Sequence, residues 1–176
     1  FDAPVTLSER VPVLENMCFT VIDERSYRLR PEFPSGKRDV VLHDMLLDAP
    51  AGLADDIANE SDLGPRLEDG FLAVAQGRAE NDGFNRLIAA AGATWREVSV
   101  IRYYAAYLRQ LGSAFGIRYV ADTLAGHAGI VREIIALFAA RFDPDLGVSA
   151  TERADREKSI RDRIEAALSG VASLDE

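Results

Sequence analysis

The chain is poor in the side chains that build most enzyme centres. Among 176 residues there is one cysteine, Cys18, and there are two histidines, His43 and His127. A single thiol excludes an internal disulfide and a multi-cysteine metal site, and it fits a reducing, cytoplasmic setting. The histidines are far apart in sequence and lack partners at metal-ligand spacing, so His43 is expected on a strand and His127 near a helix start, both in structural roles. Cys18, with no basic neighbour in sequence, reads as a small buried hydrophobe. Lysine is nearly absent: Lys37 falls in a turn and Lys158 on a charged helix, neither in a pocket that would depress a pKa. None of the thirteen glycines forms Gly-x-Gly, which removes the Rossmann phosphate turn. Gly36-Lys37 is no phosphate loop either, because Pro31 stands where its first glycine belongs and Arg38 where its hydroxyl belongs. No Gly-x-Ser-x-Gly elbow accompanies the serines. The longest apolar run, residues 129–140, is broken by Arg132 and Glu133 and is too short to span a bilayer, and nothing resembles a signal peptide. A net charge of −9 argues against nucleic-acid partners.

What is present is a hydrophobic content of 48%, enough for a folded core in one medium domain or two small ones. Charge is uneven: residues 51–82 hold eight acids and two bases, residues 83–145 five acids and seven arginines. Residues 1–50 read as helix, strand, strand. Thr6 with Glu9 offers a capping box, Val11, Leu14 and Met17 an apolar face, and a later start capped by Ser8 eases the conflict with Pro12. Phe19–Leu29 is β-branched and aromatic, with Phe19, Val21, Tyr27 and Leu29 on one parity. Turn chemistry at residues 34–37 leads into a second strand, Asp39–Leu47, and the two pair as a hairpin. Residues 49–62 are a polar, acidic stretch, placed as a connector over 51–62.

From residue 63 onward the pattern is helical, about six helices. Pro65–Gln76 turns Leu67, Phe71, Leu72 and Val74 inward, and Gly77 ends it. Asn81 or Asp82 caps a helix carrying Phe84, Leu87, Ile88 and Ala91, with Gly92 as its stop. Thr94 and Glu97 form a second capping box opening Thr94–Leu111, which is apolar around most of its circumference. Val98, Ile101, Ala105 and Leu108 make one stripe; Val100, Tyr104, Tyr107 and Leu111 make another. So wide a surface calls for cover on more than one side, which makes this the expected central helix, with Trp95 buried in its first turn and Tyr103, Tyr104 and Tyr107 buried but for a hydroxyl. Gly116–Ala125 and Ala128–Phe142 follow, the latter stopped by Asp143-Pro144. Ser149 and Glu152 open a last, charged helix with a thin stripe of Ala154, Ile160, Ile164, Leu168 and Val171.

The densest polar constellation is Glu80, Asn81, Asp82, Asn85 and Arg86. It reads either as helix capping with surface charges or as a carboxylate-and-amide site for a ligand or a neighbouring domain, and capping is the commoner use of such residues. No residue is assigned a catalytic, cofactor-binding or metal-binding role.

The runs LSERVPVLENMCFTVIDERSY and AENDGFNRL…WREVSVIRYYAAYLRQ resemble the very large bacterial NAD-specific glutamate dehydrogenases, in the region just before their catalytic domain. The resemblance spans nearly the whole chain. It implies an α+β, mainly α fold: residues 1–50 as part of an ACT-like βαββαβ unit whose first strand lies upstream of Phe1, and residues 63–176 as a helical domain. It implies NAD in the parent enzyme and none in this segment, with catalytic residues beyond Glu176. The remainder of the polypeptide and a homo-oligomer are the partners it implies. The hairpin should then leave an unpaired edge, filled by a preceding strand, by another chain or by a loop such as residues 49–62. A free-standing helical interaction module is the rival reading, and a small enzyme in its own right a third. The lack of an initiator methionine and the incomplete sheet weigh for a piece of something longer.

Overall fold

In the computed structural model, residues 5–34, 36–59 and 62–171 are described. Helix α1 (Leu7–Glu15) begins at Thr6, whose backbone N–H (3.0 Å) and hydroxyl (2.9 Å) both donate to the Glu9 carboxylate. The Ser8 start is not adopted. Pro12 lies inside the helix and forfeits one backbone bond on an exposed turn, where water can serve the freed carbonyl of Ser8. The buried face is Arg10, Val13 and Met17, not Val11, Leu14 and Met17. A charged residue on the inward face hid the phase of the helix. The end of α1 is a Schellman turn, with Phe19 N–H donating to Leu14 O (3.0 Å) and Cys18 N–H to Glu15 O (3.2 Å). Cys18 takes the left-handed position, φ 74°, at a cost of about 1–2 kcal/mol for a residue with a Cβ.

Strand β1 (Thr20–Leu29) leads through the short β2 (Glu32–Phe33) and β3 (Gly36–Lys37), paired at the hairpin tip, to β4 (Val40–Asp48), which runs antiparallel to β1. Ser35, in the expected turn, is outside the described residues. Val21 pairs with Leu47 and Asp23 with Leu46, so Ile22 is an extra residue. That bulge reverses the parity of everything after it. Val21 and Glu24 therefore share the face toward α1, whereas Tyr27 and Leu29, expected beside Val21, sit on the opposite, exposed face with Leu42 and Leu46.

The acidic connector is not merely a linker: α2 (Leu53–Asn59) occupies most of it, buries Leu53 and packs against α3 (Leu63–Ala75). Then come a 3₁₀ turn (Gly83–Asn85), α4 (Arg86–Ala91), α5 (Trp95–Gln110), α6 (Ile117–Gly126), α7 (Ala128–Phe142) and α8 (Ala150–Leu168). Capping boxes at Thr94 and Ser149, and left-handed glycines at Gly77 and Gly92, are present as the sequence predicts. The helix at the centre, however, is the short α4. It packs against α3, α5, α6 and α7, and Leu87 and Ile88 are fully buried together with Met17, Phe84, Val98 and Val131. Gly70 lets α3 come close: a Cβ there would lie 2.5 Å from Ile88 Cδ1 and 3.1 Å from Met17 Cε.

Helix α5 buries only Val98, Ile101 and Ala105; Tyr104, Tyr107, Leu108 and Leu111, expected to be covered, are exposed, and so is Tyr103. Of its second stripe, Tyr104 meets Phe138 of α7 edge-on, and Tyr107 and Leu111 lie open. Trp95 is half-buried rather than buried. Its Nε1 donates to Asp69 (2.9 Å), and the Arg96 and Arg78 guanidiniums sit 4.3 and 5.4 Å from the ring centre. Helix α8 lies along α7, held by Arg163 forked onto Glu133 (3.0 and 2.8 Å), while Arg153 caps the end of α7 at Ala140 O (2.7 Å) and Asp143 O (3.0 Å). Of its stripe only Ile160 is fully buried; Ile164 is partly covered and Ala154 and Leu168 are exposed. No single helix among the described residues is long and apolar enough to cross a membrane; α6 and α7 pass that test only as a pair, bent by 100°.

Candidate functional site

Two polar clusters stand out. The first gathers the constellation picked from the sequence. Asp82 is in extended backbone, and its carboxylate accepts the Phe84 N–H (3.0 Å), so Asp82 and not Asn81 is the cap. The same carboxylate is gripped by Arg102 of α5, Nε at 2.7 Å and a terminal nitrogen at 2.9 Å. That terminal nitrogen also donates to Asn85 Oδ1 (3.0 Å), and Asn85 Nδ2 donates to the Glu80 carbonyl (3.0 Å). Asn85 is buried, and the guanidinium lies 5.7 Å from the Phe84 ring centre. Asn81 accepts a bond from Asn16, just after α1 (2.8 Å). Arg86 pairs with Asp122 of α6 and not with Glu80. Glu80 contributes only its carbonyl, its side chain being exposed.

The five residues are thus neighbours, but what joins them is Arg102, Asp122 and Asn16, which sequence reasoning missed. In the sequence Arg102 stands only as one of the arginines of a mostly apolar helix. A cleft of about 370 Å³ runs beside them, lined by Asn16, Asp82, Arg86, Ile117, Arg118 and Asp122. Most of its charged groups already hold one another, so its clearest capacity is to lock the loop at residues 79–85 onto three elements. Bidentate, charge-assisted bonds suit that task.

The second cluster lies between α1 and the hairpin. Arg10, 5% exposed, donates to Glu24 and to Val5 O (2.5 Å). Ser26 Oγ donates to Glu24 Oε1 (2.8 Å), and His43 Nδ1 lies 3.0 Å from that oxygen and 2.8 Å from Ser26 Oγ. The Arg10 guanidinium, reinforced by Ser26 and His43, outweighs burial and pulls the Glu24 carboxyl down to about 2. Serine, histidine and acid are the components of a hydrolase triad, yet hydroxyl and carboxylate meet the same ring nitrogen. No proton path runs from one through the ring to the other. Burial pushes the Cys18 thiol up, against a smaller pull from Arg86, which is the opposite of what a nucleophile needs.

Comparison with known proteins matches residues 1–60 to the glutamate dehydrogenase ACT3 domain and residues 79–144 to the glutamate dehydrogenase helical motif 3. This chain belongs to the glutamate dehydrogenase family. It is 36% identical over 175 residues, 99% of its own length, to the NAD-specific glutamate dehydrogenase of Pseudomonas aeruginosa. It is 38% identical over 142 residues (81% of this chain) to that of Halomonas elongata, and 33% over 149 residues (84%) to that of Mycobacterium tuberculosis. In these relatives the matched region is 10%, 8% and 9% of the length, so the chain spans about a tenth of each. Both matched segments are ACT and helical regions of the family, not a catalytic domain.

Among the described residues there is no Rossmann-type cradle for the NAD that the relatives' names carry. The main sheet is a two-stranded antiparallel hairpin, so no parallel strand feeds a glycine turn at a helix N-terminus where a pyrophosphate would rest.

Proposed function

We propose that this chain is a non-catalytic structural and regulatory segment of an NAD-dependent glutamate dehydrogenase. The parent reaction is L-glutamate plus NAD⁺ and water to 2-oxoglutarate, ammonium and NADH, with catalytic groups elsewhere in the polypeptide. The observation that carries this reading is the match, in order, of an ACT segment and a helical segment to relatives about ten times longer. The partners are the remainder of the same polypeptide, including its catalytic domain, and further copies in a homo-oligomer. A cytoplasmic setting suits the lone thiol Cys18.

The division into residues 1–50, 51–62 and 63–176 belongs to this proposal. So does the role of Glu80, Asn81, Asp82, Asn85 and Arg86 as an interdomain contact. The contact role draws support from the ties of Asp82, Asn81 and Arg86 to Arg102, Asn16 and Asp122, which make that loop stiff enough to hold a neighbour in register. The free edge of the hairpin is the proposed attachment for the preceding strand.

Two assays test the reading. The longer polypeptide should form NADH in the presence of glutamate, and the 176-residue chain should neither do so nor release heat when titrated with NAD⁺. Turnover by the chain alone, or a longer polypeptide without glutamate-dependent NADH formation, would overturn it.

A further inference from the structure

The C-terminal half of α5 carries an exposed aromatic and aliphatic stripe. Tyr103 is 76% exposed, Tyr107 56% and Leu111 65%; Tyr104 and Leu108 are exposed beside them. The patch continues onto α7, where Phe138 meets the Tyr104 ring edge-on at 6.3 Å and packs at 5.0 Å against the exposed Phe142. Aromatic surface this extensive is unusual on a free monomer and is the composition of an interface centre. From Val98 to Ala121 the chain has no carboxylate. Arg102 and Arg118 are already paired with Asp82 and Asp122, which leaves Arg109 on α5 and Arg141, whose guanidinium lies 5.5 Å from the Phe142 ring centre, as the positive charge beside the stripe.

We infer that the stripe Tyr103, Tyr104, Tyr107, Leu108 and Leu111, with Phe142 of α7, is the surface on which another region of the same longer polypeptide docks through an apolar face edged by carboxylates. This rests on the reading of the chain as one segment of a longer protein. The relatives have about nine tenths of their length outside the matched region. A covalently linked partner also acts at an effective concentration of order millimolar, which a separate copy does not reach in dilute solution. The buried stripe Val98, Ile101 and Ala105 holds α5 on the core independently, so the exposed one is free to serve as a contact.

Hydroxyl-radical footprinting of the longer polypeptide tests this. Tyr103, Tyr104 and Tyr107 are expected to react roughly tenfold more slowly in the folded than in the denatured protein, equally at two concentrations about a hundredfold apart. Rates within about twofold of the denatured protein would overturn the inference, as would protection lost on dilution, which assigns the surface to a second copy. The double variant Leu108→Glu, Leu111→Glu should restore tyrosine reactivity while leaving helix content unchanged; undiminished protection would overturn the inference. The same preparations, assayed for glutamate-dependent NADH formation, separate the two readings. An active enzyme with reactive tyrosines refutes only the docking surface. An inactive one with protected tyrosines refutes only the functional assignment.

Discussion

The hairpin and the helical part reach order by different means. From Phe19 to Gly52 no described residue is fully buried, and the strongest link between hairpin and α1 is ionic, Arg10 to Glu24. The helical part instead closes around Phe84, Leu87, Ile88, Val98 and Val131. Two strands cover too little apolar area to stand alone and borrow stability from whatever lies on their faces and edges. Four helices packed around the short α4, namely α3, α5, α6 and α7, can enclose an apolar interior. The difference teaches that one region carries its own stability and the other depends on attachments.

Phe84→Ala should produce the largest loss, about 3–5 kcal/mol in a denaturant titration, because the ring is fully enclosed. A loss under about 1 kcal/mol would mean that the helical part lacks the self-sufficient core described. Arg102→Ala should cost about 1–3 kcal/mol by removing charge-assisted bonds to Asp82 and Asn85. A double-mutant cycle with Asp82→Ala sharpens this: strictly additive losses would break the picture of one coupled seam. Trp95→Ala comes next, at about 1–2 kcal/mol, roughly half the usual cost for an enclosed ring, since this one is half-buried.

The finest test lies in the hairpin. Because the Glu24 carboxyl is held down to about 2, the folded chain takes up that proton less readily than the unfolded chain. The stabilisation is complete above the ordinary carboxylate range and drains away as pH falls from about 4.5 toward 2. Thermal melts of Glu24→Gln should therefore show a shallower pH dependence than the parent chain over that window. Parallel profiles would show that the Arg10–Glu24 link adds nothing to the attachment of the hairpin.

Caps and stops were the most legible features. Thr94, Ser149, Gly77 and Gly92 work through neighbours a few residues away, so their effect does not depend on what the rest of the chain does. Core identity at Phe84, Leu87 and Ile88 was legible from spacing. What misled was anything with two local solutions. Ile22 as a bulge changes no composition yet turns Tyr27 and Leu29 to the other face. Arg10 looks like a surface residue until Glu24, on the strand that follows α1, makes its burial tolerable.

The candidate site shows the same division. Glu80, Asn81, Asp82, Asn85 and Arg86 could be chosen as a cluster because they are adjacent in sequence. Arg102, Asp122 and Asn16 could not, since they come from separate elements and meet the cluster only after α1, α5 and α6 converge.

By itself the sequence determined every described helix but α2, most of the caps, the hairpin, the lack of a dinucleotide turn and the family, because each is written in short-range spacing or in long colinear similarity. Tertiary structure alone decided that the short α4 lies at the centre and that the tyrosine stripe of α5 faces outward. An amphipathic pattern tells which residues can be covered, but only the reach of the neighbouring helices determines which are.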